Sequence, residues 1–185
     1  IGGPSVKPYQ PDRYWENLNF PVRDYVPDMG ENQHRRGLYT WWQRSFLHPS
    51  MLAFDAPSRE ECAAERTRSN IPQQALVLLN DPTYIEACHA FGYRILTQAT
   101  GTPKQRVAWA WQQALQRNPT PAELNALLNV YDKQHAIYKA EPKSAEAFLG
   151  IGDTKPLDKN DPIELAAWSH VARVLLNLHE TIVRP

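Results

Sequence analysis

The chain has 185 residues, with 20 basic and 20 acidic side chains that leave it no formal net charge at pH 7. This balance argues against a nucleic acid or an anionic membrane surface as the main partner. Apolar residues make up 42% of the chain, which is enough for one packed core, and we expect a single folded domain. No apolar run in the sequence reaches the ~18 residues of a membrane-spanning helix.

The first 33 residues are predicted to form an extended arm. They contain five of the 16 prolines, and proline lacks a backbone N–H and biases the preceding residue toward extended geometry. We expect one short helical turn in the arm, at Asp12–Leu18. Such a segment forms no core of its own, so it must lie across another surface. Its predicted aromatic anchors are Tyr9, Tyr14, Trp15, Phe20 and Tyr25.

Six stretches carry the sequence pattern of a helix N-terminus. A Ser, Thr, Asn or Asp side chain accepts an orphan backbone N–H, and a proline or a Glu or Gln follows within the first turn. The predicted capping residues are Ser58, Asn70, Asp81, Thr102, Thr120 and Asp161. Six helix starts in about 105 residues predict a mainly helical chain.

Apolar residues recur at steps of three and four after these starts, which is the spacing of amphipathic helices. The stripes are Ile85, Cys88, Gly92 and Ile95; Val107, Trp111, Ala114 and Leu115; Leu124, Leu127, Leu128, Tyr131 and Tyr138; and Leu165, Trp168, Ala172, Leu175 and Leu178. We therefore predict an all-α fold, an irregular helical bundle at residues 34–185 preceded by the extended proline-rich arm at residues 1–33.

Two segments are less regular. Leu38–Trp42 fits either a strand or a helix. Residues 143–160 are predicted to form a polar linker, with a helical turn at Ala145–Leu149.

The densest polar segment of the sequence runs from Arg35 to Asp81. One interpretation is a network of ion pairs and caps that ties loops to helices, a role that suits the planar guanidinium of arginine. The other interpretation is a catalytic or binding site. In that site His48 is the acid/base or ligand and Asp55 its partner, while Arg59 and Arg66 bind an anionic group.

The chain has two cysteines, Cys62 and Cys88. In an oxidising compartment they could form a disulfide; otherwise they are small, reduced side chains. Neither belongs to the C-x-x-C-H motif that attaches c-type haem, so we expect no cofactor in this chain itself.

Four histidines, His89, His135, His170 and His179, lie on predicted helices. Glu86 and His89 have the i, i+3 spacing of carboxylate-bridged di-iron helices, which pair two Glu-x-x-His motifs on packed helices. The other Glu-x-x-His of the chain, Glu31–His34, lies at the end of the predicted arm and not on a predicted helix, so we predict no metal. His89 is expected to form a hydrogen bond between helices. His135 lies on an apolar stripe and is predicted to be a core histidine.

Several motifs resemble the C-terminal part of the planctomycete-type PSD1 family, the domain of unknown function 1553. They are Gly2–Pro11, Arg35–Arg44, His48–Ser50, Phe54–Pro57, Arg59–Glu60, Arg66–Asn70, Pro72–Pro82 and, at the end of the chain, Glu164–Glu180. Members of this family usually end exported multidomain proteins and follow a companion helical domain and often a c-type cytochrome domain.

The resemblance implies an extracytoplasmic setting, in the periplasm or at the cell surface. It also implies an upstream domain or partner chain, which could carry c-type haem, and it allows a homo- or hetero-oligomer. The chain begins at Ile1, with neither an initiator methionine nor a signal peptide. We therefore expect a C-terminal fragment of a larger protein.

Two functions follow from these expectations. The first is a non-catalytic structural or interaction module of an exported protein associated with c-type cytochrome domains. The alternative is the pocket-forming part of an extracytoplasmic haem-linked oxidoreductase, with carbohydrate as its expected substrate class. His48, Asp55, Arg59 and Arg66 would then line the pocket, because haem accepts electrons but protein groups must orient the donor.

Overall fold

The structure is a computed structural model that describes residues 3–14, 24–43, 46–58, 60–65, 67–153 and 161–183. These residues form eight α-helices and no β-strand, which confirms the predicted all-α fold. The helices are α1 (Pro49–Ala53), α2 (Pro72–Asn80), α3 (Pro82–Gln98), α4 (Pro103–Leu115), α5 (Pro121–Ala140), α6 (Pro142–Leu149), α7 (Pro162–Leu176) and α8 (His179–Ile182). Within the described ranges, no helix has the length and hydropathy to cross a membrane.

The chain divides into two compact units, Ile1–Val77 and Leu78–Pro185. The division passes through α2, whereas the sequence placed a boundary between arm and helical domain after residue 33.

In the first unit the arm is extended and pairs with a later segment. Val6 forms a parallel backbone bridge with Thr40, in which Val6 N–H donates to the Tyr39 carbonyl (2.9 Å) and Trp41 N–H donates to the Val6 carbonyl (2.6 Å). The Tyr25 hydroxyl donates to the Pro8 carbonyl (2.6 Å), as expected for an aromatic anchor. These bonds satisfy backbone groups that an arm without helix or sheet would leave unpaired.

The predicted turn at Asp12–Leu18 is described only up to Tyr14, where residues 12–14 form a turn. Residues 15–18, with the anchor Trp15, lie outside the described residues, as does the anchor Phe20. The ambiguous segment Leu38–Trp42 is neither strand nor α-helix. It begins within a 3₁₀ turn at Gly37–Tyr39 and continues as extended chain.

Four predicted helix caps are confirmed at the atomic level. Asp81 and Asp161 each accept a backbone N–H two residues on, at 2.9 and 3.0 Å. Thr102 and Thr120 form complete capping boxes with Gln105 and Glu123. Each of these helices starts with proline, where no N–H is needed, and α2 also starts at a proline, two residues after the predicted cap Asn70.

The helix predicted to start at Ser58 is wrong. Residues 60–65 are not helical, and every one of them is exposed. A short helix gains most of its stability from an apolar face packed against the rest of the protein. The capping pattern at Ser58 precedes a segment with no buried face, so local signals alone do not sustain a helix there.

Helix α7 lies at the centre of the second unit and packs against α3, α5 and α6. Most of the predicted apolar stripes are buried in this core, which includes Ile95, Val107, Leu127, Trp168 and Leu175. Gly92 allows α3 to approach α7 closely.

Helix α6 corrects the predicted linker at residues 143–160. Pro142–Leu149 is a regular helix, and Ala145 and Leu149 are buried against Tyr138, Leu165 and Ala166 in a second, smaller cluster. The sequence shows only four apolar residues in this helix, too few for a clear periodic signal. Residues 154–160 lie outside the described part of the chain.

Candidate functional site

His48 lies immediately before α1 and fastens the arm to it. The imidazole is buried, with 6% of the residue exposed, and its Nε2 atom is 2.9 Å from the Tyr9 carbonyl oxygen. A carbonyl oxygen only accepts hydrogen bonds, so Nε2 carries the proton and donates it. The Nε2 atom of the side chain predicted as an acid/base therefore forms a structural hydrogen bond with the backbone of the arm.

Asp55 follows α1 and joins a second loop to it. Its carboxylate accepts from the backbone N–H of Ser69 (2.7 Å) and from the Ser69 hydroxyl (2.8 Å). The residue has a φ of 55°, in the left-handed region that aspartate tolerates better than most residues. These contacts match the capping network, the first of the two interpretations. The other two candidates, Arg59 and Arg66, lie outside the described residues, so a catalytic role for this set stays a prediction.

The two cysteines are free in the structure. Cys62 is exposed in the first unit, and Cys88 is buried in the core of the second. The disulfide that the sequence left open is therefore not formed here. Burial raises the pKa of the Cys88 thiol to about 12, so it stays protonated and unreactive.

The first unit contains a cavity of about 350 Å³ that the sequence did not predict. It lies between the 3₁₀ turn, the middle of α1 and the segment that follows α1. Its lining residues are Arg36, Gly37, Leu38, Trp42, Met51, Ala56 and Pro57. We call it the Arg36 cavity. These residues are not periodic in sequence, so only the fold of the chain brings them together.

Two backbone hydrogen bonds shape the walls of the Arg36 cavity. Tyr39 N–H donates to the Arg36 carbonyl (2.8 Å) and closes the 3₁₀ turn on one side. Ala56 N–H donates to the Met51 carbonyl (3.0 Å) and folds the chain back after α1 on the other.

Arg36 is the one charged side chain among the described residues that line this cavity. The residue is exposed, and among the described residues its guanidinium has no hydrogen bond or ion pair. The other lining side chains are apolar. A free cation beside apolar and aromatic surface has the composition of a site for an amphipathic anion.

A cluster of histidine and aromatic side chains lies between four helices of the second unit. The Tyr138 hydroxyl is 2.7 Å from His170 Nε2, and Phe148 stacks on the His170 ring with centroids 4.5 Å apart. His89 meets the edge of Phe148 at 4.9 Å. Burial lowers the pKa of His89 to about 4; burial, with the nearby charges of Arg173 and His89, lowers that of His170 to about 4.

This cluster corrects the expectation for His89. Its Nε2 atom is buried and has no hydrogen-bond partner among the residues that the structure describes. The contact between helices is instead the aromatic edge against Phe148. A neutral imidazole tolerates the loss of a hydrogen-bond partner better than a charged one, because removal from water penalises the cation most.

Glu164 organises a third group of side chains, at the α5–α7 contact. Its carboxylate accepts from the Tyr131 hydroxyl (2.9 Å) and from the Trp168 indole N–H (3.1 Å), and His135 Nε2 lies 3.3 Å away. Burial and the Glu164 carboxylate raise the pKa of Tyr131. His135, predicted to be a core histidine, is instead half-buried and stacked on Tyr131.

The described parts of the chain contain no cluster of side chains suited to bind a metal ion. There, no three His, Cys, Asp or Glu side chains form a group that could hold one. Glu86 accepts a long hydrogen bond from the backbone N–H of Asp153 (3.4 Å).

Comparison with known proteins identifies the family. The family described as "Protein of unknown function (DUF1553)", PSD1, matches residues 1–131, which is more than half of the chain. The chain belongs to the PSD1 family. No curated protein and no solved structure matches it.

The PSD1 match includes the Arg36 cavity, His48 and Asp55, and ends at Tyr131 within α5. It does not reach Glu164 or α7, so the resemblance of the final helix stays a prediction. In this PSD1 chain the family match therefore covers all of the first unit, with the Arg36 cavity, and part of the second.

Proposed function

We propose that this PSD1 chain is a non-catalytic structural and interaction module of an exported multidomain protein associated with c-type cytochrome domains. The observation that supports the proposal is the poor core of the first unit. Among its described residues, the buried apolar side chains are Val6 and Ala53. Its exposed large apolar residues are Val26, Met29, Leu38, Leu52, Ile71 and Leu76.

Single exposed apolar side chains are common on protein surfaces. The first unit is unusual because more of the large apolar side chains described in it are exposed than buried. A partner surface would remove from water the apolar side chains that the unit cannot bury itself. Each square ångström of apolar surface so covered contributes about 25 cal/mol. The hydrogen bonds of His48 and Asp55 to backbone agree with this role, because they hold loops in place.

The partner we propose is an upstream domain or partner chain of the same extracytoplasmic protein. Any c-type haem would belong to that partner. The cysteines of this chain are 26 positions apart, at Cys62 and Cys88, and cannot form the paired attachment motif.

The test combines the chain with the c-type cytochrome domain of its own parent protein. Hydrogen–deuterium exchange should show slower exchange at residues 24–58 and unchanged exchange in α3 and α7. Val26→Asp and Met29→Asp, at positions 71% and 65% exposed, should weaken the complex. Ile137→Asp, at a position 53% exposed on α5 in the second unit, is the matched control and should leave it unchanged.

Two results would contradict this proposal. One is the same exchange pattern with and without the cytochrome domain. The other is equal weakening by Met29→Asp and by the control Ile137→Asp, since that would reflect general surface charge rather than docking.

A second candidate function is the pocket-forming part of a haem-linked oxidoreductase, and the observation that favours it is the Arg36 cavity. Substrate-dependent reduction of haem in the full-length protein, followed by the Soret band with carbohydrate substrates, tests it. His48→Gln and Arg36→Gln should slow this reduction. Unchanged rates of haem reduction in both variants would contradict the oxidoreductase role.

A further inference from the structure

We propose that the Arg36 cavity is a binding site for an apolar group that bears a carboxylate. This inference does not rest on the docking role proposed above. The residues changed to test docking, Val26 and Met29, do not line the cavity. The site belongs to the first unit alone.

The size and lining of the cavity set the apolar part of the ligand. Its volume of about 350 Å³ is at the lower end of the ~300–1,000 Å³ typical of small-molecule sites. Leu38, Met51 and Pro57 supply aliphatic surface, and Trp42 supplies an aromatic ring. A single ring or a short branched chain matches this space and surface, whereas a polycyclic ligand exceeds it.

Arg36 sets the charged part of the ligand. Its planar guanidinium presents parallel N–H donors that match the two oxygens of a carboxylate. None of the lining residues that the structure describes has an acidic side chain that would compete for the guanidinium. An apolar amine would meet a like charge, and a neutral apolar ligand would leave the arginine without a bond.

Two sources supply this chemistry: a free organic acid, and the C-terminal residue of a peptide whose last side chain is apolar. Both present one carboxylate next to an apolar group. The experiment therefore uses a probe of each kind, 3-phenylpropionate and the peptide Gly-Gly-Phe, and each is compared with its neutral amide.

The two methionines provide the readout. Met51 lines the cavity, and Met29 is exposed and does not line it. In protein labelled with ¹³C-methyl methionine, titration with either carboxylate probe should shift the Met51 methyl signal and leave Met29 in place. We expect a dissociation constant of about 1 mM for a ligand of this size. Stronger binding of the peptide than of the free acid would assign the peptide as the source, and the reverse would assign the acid.

Variants test the charge and the space separately. Arg36→Gln should weaken binding of the carboxylate probes about tenfold, the effect of losing one charge-assisted pair, and leave the weak binding of the amides unchanged. Arg68→Gln removes the same charge from another exposed position of the first unit and should change nothing.

Gly37→Leu fills the cavity. The backbone at Gly37 does not have a positive φ, and a Cβ there would lie 3.4 Å from the end of the flexible Met51 side chain. A leucine side chain at this position should abolish the Met51 shift. Gly37→Leu could also disturb the 3₁₀ turn. Arg36→Gln changes only an exposed side chain, so it tests the proposal even if Gly37→Leu fails to fold.

Three outcomes would overturn the proposal. They are no Met51 shift with either carboxylate probe at 10-fold the expected dissociation constant, equal binding of carboxylates and amides, and equal binding by Arg36→Gln and the Arg68→Gln control. None of these outcomes bears on docking to a cytochrome domain, because the docking variants Val26→Asp and Met29→Asp do not line the cavity.

Discussion

The Tyr138 hydroxyl on α5 and the Nε2 atom of His170 on α7 are 2.7 Å apart and join the two helices inside the second unit. The tyrosine is buried, and burial raises the pKa of its hydroxyl. The same burial keeps His170 neutral near pH 7, since its pKa falls to about 4. A neutral imidazole and a protonated phenol can share one proton between them without placing a charge in the core.

Replacing Tyr138 with phenylalanine should lower the free energy of unfolding by about 1–3 kcal/mol, because His170 Nε2 is left buried without its partner. Urea unfolding followed by circular dichroism measures the change. Tyr93→Phe is the matched control: its hydroxyl forms no hydrogen bond with another described residue. Equal losses in the two variants would contradict a special contribution of the Tyr138 bond.

The stability of the chain should fall as the pH drops from about 6.5 to about 4. His89 and His170 have folded pKa values of about 4, below the 6.5 of an ordinary histidine. The unfolded chain therefore binds more protons in this window, and protonation favours unfolding. The expected loss is on the order of 3 kcal/mol for each histidine.

The pH dependence is measured as the urea midpoint at pH 7.5, 5.5 and 4.5. His89→Gln and His170→Gln should each flatten it, whatever they do to the absolute stability. His34→Gln, at an exposed position, should leave the slope as it is. A wild-type midpoint that does not move across this range would show that folding does not lower the pKa values of the half-buried His89 and His170.

Gly92→Ala should destabilise the second unit by about 3 kcal/mol. A Cβ at Gly92 would lie 2.8 Å from both the backbone nitrogen and the hydroxyl of Ser169 on α7. Backbone cannot move aside as a flexible side chain can, so the helices must separate. The control is Gly150→Ala, where the new atom would lie 3.4 Å from the nearest carbonyl and the change should stay within about 0.5 kcal/mol.

Asp55 should tolerate asparagine better than alanine. Asparagine adopts positive φ readily and can still accept from Ser69 N–H, so Asp55→Asn should cost under about 1 kcal/mol. Asp55→Ala loses the acceptor and strains the backbone at φ 55°, and should cost about 2–3 kcal/mol. Thermal unfolding and amide exchange at Ser69 distinguish the two. The opposite order would mean that the charge itself is essential, as in a catalytic site.

Thiol labelling should separate the two cysteines. In protein prepared without reductant, Cys62 should react at once with a water-soluble disulfide reagent because it is exposed. Cys88 should react only on unfolding, since burial raises its pKa to about 12 and excludes the reagent. No reaction at either residue in denaturant would instead reveal a disulfide between them.

Much of the helical architecture could be predicted from local chemistry. Asp81, Thr102, Thr120 and Asp161 cap helices in the structure as their sequence pattern indicates, because a cap needs only residues within the same turn. Ser58 has the same pattern and starts no helix, which shows that a local signal also requires a face to bury.

The candidate sites depended on contacts that sequence spacing does not contain. Glu164 has the position of a capping-box residue after Asp161, yet its carboxylate binds Tyr131 and Trp168. Arg36 stands beside Arg35 with nothing to distinguish it until the chain folds Met51 and Pro57 against the same cavity.

The sequence by itself determined the all-α class, most helix starts, the apolar stripes that form the core around α7 and the resemblance to the PSD1 family. These properties follow from interactions over a few residues or from a linear pattern of motifs. Tertiary structure decided that the helical turn predicted at Ala145–Leu149 belongs to a full helix, α6. It alone decided that His48 binds Tyr9, that His170 pairs with Tyr138 and that a cavity opens beside Arg36. Each of these depends on which distant residues meet, and burial and hydrogen-bond partners exist only once they do.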